Sequence, residues 1–325
     1  MTRADPYLFA YAFDGKGGGR SLEGSEVAKT VRSKALAWAH LDATHKGARR
    51  WLREEIDYLD PLVVEGLLAD ETRPRFEQFG DGVLLILRGV NLNENAQAED
   101  MVSIRIWADA QRIISVQRRQ LRAVQDIRTM LVDGNGPKSM AEFLCVLVAK
   151  LFDRMNPLLT ELNEGTDAIE ERILEEPEMS QRTAIVEMRR KAIILRRYMA
   201  PQRDAIDQLR MADLEWLNEL NRRYLQESYN IITRYIEDLE SIRERAQIVK
   251  DELATTMADR LNKNLYVLSV IAAVFLPISF LTSLFGINIG GMPGIDSGLA
   301  FWIFSGSLVV VVALEIIIFK YLKWF

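Results

Sequence analysis

Two long apolar runs near the C-terminus, Leu265 to Phe285 and Leu299 to Phe319, constrain this chain more than any other feature. From Asn264 to Ile295 there is no Asp, Glu, Lys, Arg or His, and Glu315 is the single charge in the second run. A helix needs about 20 apolar residues to cross a bilayer, so two adjacent runs of this length predict a transmembrane hairpin. The flanks orient it. Arg260 and Lys263 precede the first run, Lys320 and Lys323 follow the second, and the connecting loop has neither Lys nor Arg. The positive-inside rule then expects both termini in the cytoplasm and the loop outside. Trp302, Tyr321 and Trp324 suit the aromatic belts at the membrane surfaces.

The residues ahead of the hairpin read as long helices. One pattern spans about Met140 to Leu174 and stops near Pro177; a second starts near Met179 and meets Pro201, where a kink or interruption is expected. A third begins near Leu214 and runs into the membrane. It carries apolar residues at Tyr235, Leu239, Ile242, Ala246, Val249 and Leu253, a heptad seam with charges between. Such a seam packs against neighbouring helices, or against copies of itself in an oligomer.

The first 138 residues are mixed α and β in character. YLFAYAFD (7–14), ALAWAHLDA (35–43), GVLLILRGVN (82–91), MVSIRIWAD (101–109) and RIISVQRR (112–119) read as strands, the last two as a hairpin. Residues 48–60 and 61–69 read as helices. The glycines of KGGGR (16–20) have no following Lys-Ser/Thr pair, so a surface turn is expected rather than a phosphate cradle. A net charge of -5, from 41 Lys plus Arg and 46 Asp plus Glu, argues against nucleic-acid binding. Cys145 lies in the apolar run FLCVLV and reads as a buried small hydrophobe. The two histidines, His40 and His45, fall in this region and read as structural. No nucleotide loop, metal-ligand cluster or nucleophile–base motif is present, so an enzyme is the weakest reading.

Gly286, Ile287 and Asn288 follow the first apolar run, and this GIN resembles the Gly-x-Asn signature of the CorA-type divalent-cation transporters. SVIAAVFLPISFLTSLFG (269–286), with Pro277 inside, resembles that family's first membrane helix, and KYLKWF its basic tail. ETRPR (71–75), RRYMAPQRD (196–204) and FGINIGGMPG (285–294) bring the chain closer to the ZntB zinc-transporter branch. Magnesium-type members carry an acid after the Met-Pro of the loop; here the position is Gly294, and the middle of the signature is Ile287 rather than Met. Both departures weaken a magnesium assignment.

The resemblance implies a homopentamer with five first helices around a pore, five second helices outside and a cytoplasmic funnel. The expected fold class is an α+β cytoplasmic domain, then long α-helices, then a two-helix C-terminal hairpin. The expected parts are a cytoplasmic α/β domain (1–138), a helical region (139–212), a stalk helix (213–263), a pore-lining span (264–286), an outer loop (287–298), a second span (299–319) and a basic tail (320–325). A bacterial inner membrane is the expected location. The cargo is a divalent cation, zinc first, with nickel, cobalt, cadmium and magnesium behind it. The partners are copies of the chain, the cations and the lipid bilayer; no cofactor and no nucleic acid are expected.

At the outer mouth a ring of Asn288 amides would hydrogen-bond a hydrated cation without stripping its first shell. Extending the seam at 3,4 spacing gives a pore stripe: Ser283, Ser279, Leu276, Ala272, Ser269 or Leu268, Leu265 and Asn262. Thr255 and Asp251 continue it to an inner mouth, where Asp251 carboxylates would concentrate cations. The hairpin has no Cys or His, so no fixed chelating site is expected there and zinc would pass largely hydrated. Glu315 is a candidate for proton linkage, although it lies near the cytoplasmic end where its side chain can snorkel. The competing readings are a CorA-type magnesium or cobalt channel and a membrane-anchored sensor or scaffold.

Overall fold

The computed structural model describes residues 5–70, 72–287, 294 and 297–321. In chain order the strands are β1 (Tyr7–Phe13), β2 (Gly19–Ser21), β3 (Ala37–Asp42), β4 (Arg75–Phe79), β5 (Gly82–Gly89), β6 (Val102–Ala108) and β7 (Arg112–Gln117). The helices are α1 (Ser25–Arg32), α2 (Ala48–Glu54), α3 (Pro61–Leu68), α4 (Arg122–Val132), α5 (Met140–Asp153), α6 (Asn156–Glu175), α7 (Gln181–Met211), α8 (Glu219–Phe285) and α9 (Ala300–Tyr321).

The β-branched and aromatic residues of the N-terminal region build one sheet, in the order β2-β1-β3-β7-β6-β5-β4. Its pairings are antiparallel except β3 with β7. Both faces are covered, so the central strands are buried along nearly their whole length, as continuous apolar runs such as GVLLILRG predict. Val83, Leu85, Leu87, Ile104 and Ile106 face a core shared with α4, α5 and α7. Leu84, Trp107, Ile114 and Val116 face a second core with α1, α2 and α3. The β6–β7 turn forms as expected: the Asp109 carboxylate accepts from the Gln111 and Arg112 backbone N–H groups, each at 2.9 Å.

Several elements lack a clear sequence signal. β2 has three residues, β4 carries charges beside Pro74 at the sheet edge, and α1 and α4 are short amphipathic turns in polar surroundings. The KGGGR loop is more than a free turn. A side chain at Gly17, where φ is +114°, would meet the Gly134 carbonyl at 2.8 Å, and the Gly17 carbonyl accepts from Gly136 N–H at 2.7 Å. The loop therefore docks on DGNGP, and glycine is required there.

The expected helix from Met140 to Leu174 is two helices. Pro157 near the start of α6 has no N–H to give the preceding turn, so α5 ends at Asp153. Ser139 caps α5 by accepting from Glu142 N–H at 3.1 Å, and Glu142 reaches back to Lys138 N–H at 2.8 Å. Pro201, conversely, does not interrupt α7, which stays helical from Gln181 to Met211. One lost backbone hydrogen bond is outweighed by the burial of Leu195, Met199, Ala205, Ile206 and Leu209 on its inner face.

The seam of α8 is buried as its spacing predicts, from Tyr235 through Leu239, Ile242, Ala246 and Val249 to Leu253. Tyr235, Leu239 and Ile242 join the core beneath the sheet, and Ala246 and Val249 meet Thr166 and Ile169 of α6 and Ile185 and Met188 of α7. Arg245 beside them is held by Asp167 and Glu170 of α6 at 2.5 Å each. The seam is thus satisfied within its own chain; it is not a surface for copies of itself.

The chain divides into two units, 1–251 and 252–325. The second holds the end of α8 and all of α9, two helices long and apolar enough to cross a membrane, with none of the residues in their most apolar windows buried. An apolar surface of this extent is not left to water in a folded chain.

Candidate functional site

Most of the residues that the sequence singles out fall in the second unit. α8 ends at Phe285, and Gly286 N–H closes its last turn on the Thr282 and Ser283 carbonyls at 2.9 and 3.2 Å. Ile287 follows, 45% exposed. Asn288 lies outside the described residues. Gly294, where the magnesium-type acid would stand, has φ +91°.

At about 100° per residue, Leu265, Leu268, Ser269, Ala272, Leu276, Ser279 and Ser283 share one side of α8. All but Ala272 are exposed. Val270, Val274, Ile278 and Leu281 occupy the opposite side, and these are half-buried. They face α9. Ile278 borders a cleft of about 390 Å³ with Leu308, Val309 and Val312, and the Phe285 and Phe304 rings approach to 4.8 Å. The second helix therefore occupies one side of the first, and the anticipated stripe is the side left open.

The hydroxyls on this helix are tied to its backbone. Ser269 donates to the Leu265 carbonyl at 2.8 Å, and Thr282 to the Ile278 and Ser279 carbonyls at 3.0 Å each. A hydroxyl that spends its proton this way presents only acceptor lone pairs outward, the polarity that suits water around a cation.

Below the apolar segment, Asn262, Thr255 and Asp251 are exposed, whereas Val249 and Leu253 are buried. The stripe is consequently a face of its own and not the seam continued, because the seam is turned into the chain's own helices. The Asp251 carboxylate accepts from Gln247 Nε2 at 2.8 and 2.9 Å, and Lys250 stands 4.0 Å away. In α9, Glu315 is half-buried, and its Oε2 is shielded and has no hydrogen-bond partner among the described residues.

The two other candidate residue types are structural. His40 is fully buried on β3, its Nδ1 2.7 Å from Ser115 Oγ and its ring stacked 4.8 Å from Phe9. Burial pushes its pKa down to about 4, so it is neutral at pH 7. Cys145 is buried against the Asn221 carbonyl at 3.5 Å, and burial pushes its thiol up to about 12. Among the described residues, no three His, Cys, Asp or Glu side chains come together to hold a metal.

The chain matches the model of the family described as CorA-like Mg2+ transporter protein over residues 33–321. It is 37% identical over 320 residues to the divalent cation transporter CmaX of Pseudomonas aeruginosa, covering 98% of this chain and 96% of that protein. It is 35% identical over 317 residues to the zinc transport protein ZntB of Yersinia enterocolitica, covering 98% and 95%. The solved structure of full-length CmaX superposes with a TM-score of 0.86 at 36% identity, covering 98% of each chain. The expected fold class, an α+β domain followed by long helices and an apolar pair, agrees with this likeness.

Proposed function

The chain belongs to the family of CorA-like Mg2+ transporter proteins, and from that premise we propose that it moves divalent cations, zinc foremost, through a pore at the centre of a homopentamer. The observation that carries the reading is the division of α8 into an α9-facing side and an open side bearing Leu276, Ser279 and Ser283. Five such open sides around an axis make a channel of alternating apolar and hydroxyl rings. The printed functions of CmaX and ZntB, divalent cation and zinc transport, support the cargo.

In this reading the pore works by hydration. A divalent ion sheds water at high cost, and neutral oxygens let it keep its first shell. Gly286, Ile287 and Asn288 form the outer mouth, with Asn288 amide oxygens facing the hydrated ion. The negative end of the α8 dipole lies at the same end of the helix and favours cations. Leu265, Leu268 and Leu276 narrow the path, gating it by exclusion of water. Ala272, Ser269, Asn262 and Thr255 line the rest, and Asp251 draws cations to the inner mouth. The membrane is the bacterial inner membrane, with both termini cytoplasmic. Coupling to a proton gradient, the remaining part of the proposal, falls to Glu315, the acid of the second apolar run.

The test is flux into liposomes that hold a zinc-sensitive dye, with and without a pH gradient. Zinc entry by the wild type, lost in Asn288→Ala, is expected. A pH gradient should accelerate entry in the wild type and not in Glu315→Gln. No flux of zinc, nickel, cobalt or magnesium under any gradient contradicts the transporter reading, and undiminished flux in Asn288→Ala removes the amide ring from the mouth.

A further inference from the structure

α5 and the cytoplasmic start of α8 face each other across a gap. α5 turns Glu142, Val146 and Ala149 toward it, and α8 turns Tyr224, Ser228 and Ile231, both at the 4,3 spacing of one helix face. The helices are tied at both ends of this stretch. At one end Cys145 Sγ donates to the Asn221 carbonyl at 3.5 Å. At the other the Tyr235 hydroxyl donates to Asn156 Oδ1 at 3.3 Å, and the Phe152 and Tyr235 rings meet edge to face at 6.2 Å. Between the ties, Cys145, Ala149 and Ser228 are too small to fill the space, and a cavity of about 690 Å³ remains.

The floor is apolar. Phe152 and Tyr235 are buried there, with Val146 and Ile231 half-buried beside them, while Tyr224 stands exposed at the mouth. Ser228 is the informative member. It is 5% exposed, lines the cavity and has no hydrogen-bond partner among the described residues. A buried hydroxyl left so is a cost that a ligand's polar group relieves. The rim carries charge of one sign: Glu142, Asp153 and Glu227 line the cavity, and no Lys or Arg does. Lys150 holds Asp153 at 3.2 Å, and the neighbouring arginines pair with other acids, Arg154 with Asp126 and Arg223 with Glu219. Arg234 is exposed and outside the lining. Glu142 accepts from the Lys138 backbone N–H at 2.8 Å, and Glu227 is exposed; neither pairs with a cation among the described residues. The acids are also too dispersed to close on a metal ion, since no three His, Cys, Asp or Glu come together among the described residues. They surround a cation wider than a metal.

We propose that this cavity binds a small organic ammonium ion with an apolar body, of the arylalkylamine class. The size fits, because ligand pockets run to about 300–1,000 Å³ and are mostly apolar with a few polar groups that orient the ligand. The apolar body buries against Phe152, Val146 and Ile231. The ammonium group meets the Tyr224 ring and the Glu227 carboxylate at the mouth and donates to Ser228 Oγ. An anion of the same shape is repelled by the rim, and a neutral molecule gains only the floor. The site lies within residues 1–251 and does not rest on the pore reading.

The experiment is isothermal titration calorimetry on the purified full-length protein in detergent, with the heat of each probe into empty micelles subtracted. The probes are phenethylammonium, its neutral isostere phenethyl alcohol, and ethylammonium, which keeps the charge and lacks the apolar body. Saturable binding of phenethylammonium near one per chain is expected, with the other two about tenfold weaker. Glu227→Gln, on the exposed rim, should weaken it about threefold. Ala149→Trp, which fills the cavity from an exposed position, should abolish it at unchanged melting temperature. Should Ala149→Trp fail to fold, Glu227→Gln carries the test. Absence of saturable binding, phenethyl alcohol as tight as phenethylammonium, or affinity unmoved by these variants overturns the proposal. Displacement of phenethylammonium by an equal concentration of zinc overturns it as well, because the acids would then be gripping a metal.

Discussion

At the scale of single residues, the buried polar groups carry the sharpest consequences. His40 is held neutral between Phe9 and Ser115, with its folded pKa near 4 against an ordinary value of 6.5. The unfolded chain therefore binds a proton between those values and the folded chain does not, so stability falls as pH drops from 6.5 toward 4. The full effect is on the order of 3 kcal/mol. The melting temperature of the detergent-solubilised protein should fall between pH 7 and pH 4.5, and His40→Gln should flatten that slope; an equal slope in both would assign the acid sensitivity elsewhere. How deeply His40 sits was not legible from its neighbours in the chain, because burial of a strand residue depends on the helices that cover both faces. The depth of Arg105, 1% exposed, was equally illegible: MVSIRIWAD reads as a strand with one polar residue, and only the pairing with β5 and β7 brings Arg88 and Arg118 beside it.

At the scale of elements, spacing was the reliable signal and partner choice was not. The 4,3 recurrence from Tyr235 to Leu253 marked a buried face of α8 correctly, but a heptad pattern is the same whether its partner is another chain or the chain's own α6 and α7. Prolines misled in both directions: Pro157 stands in the first turn of a new helix and divides the expected one, whereas Pro201 stands inside α7, whose inner face is buried on both sides of it. Because Ile242 is fully buried inside its own chain, Ile242→Ala should cost about 2–5 kcal/mol. It should lower the melting temperature while leaving the subunit number in detergent unchanged. Loss of the oligomer at an unaltered melting temperature would mean that the seam joins chains after all.

At the scale of the whole molecule, the apolar hairpin was legible from hydropathy alone, and the family from GIN with its flanking stretches. The side of α8 proposed to line the pore was not legible by the route that led to it, since the stripe does not continue the seam. It emerges once α9 occupies the side of Val270, Val274, Ile278 and Leu281 and leaves the side of Leu276, Ser279 and Ser283 open. The central claim is that this open side lines an ion path in an assembly of five chains. Single cysteines placed at each position in a Cys145→Ala background, followed by a charged thiol reagent during zinc flux into liposomes, test it most directly. Leu276→Cys, Ser279→Cys and Ser283→Cys should lose most of their flux on modification, while Val274→Cys and Ile278→Cys keep theirs. Block at Val274 and Ile278 with none at the three stripe positions would contradict the account.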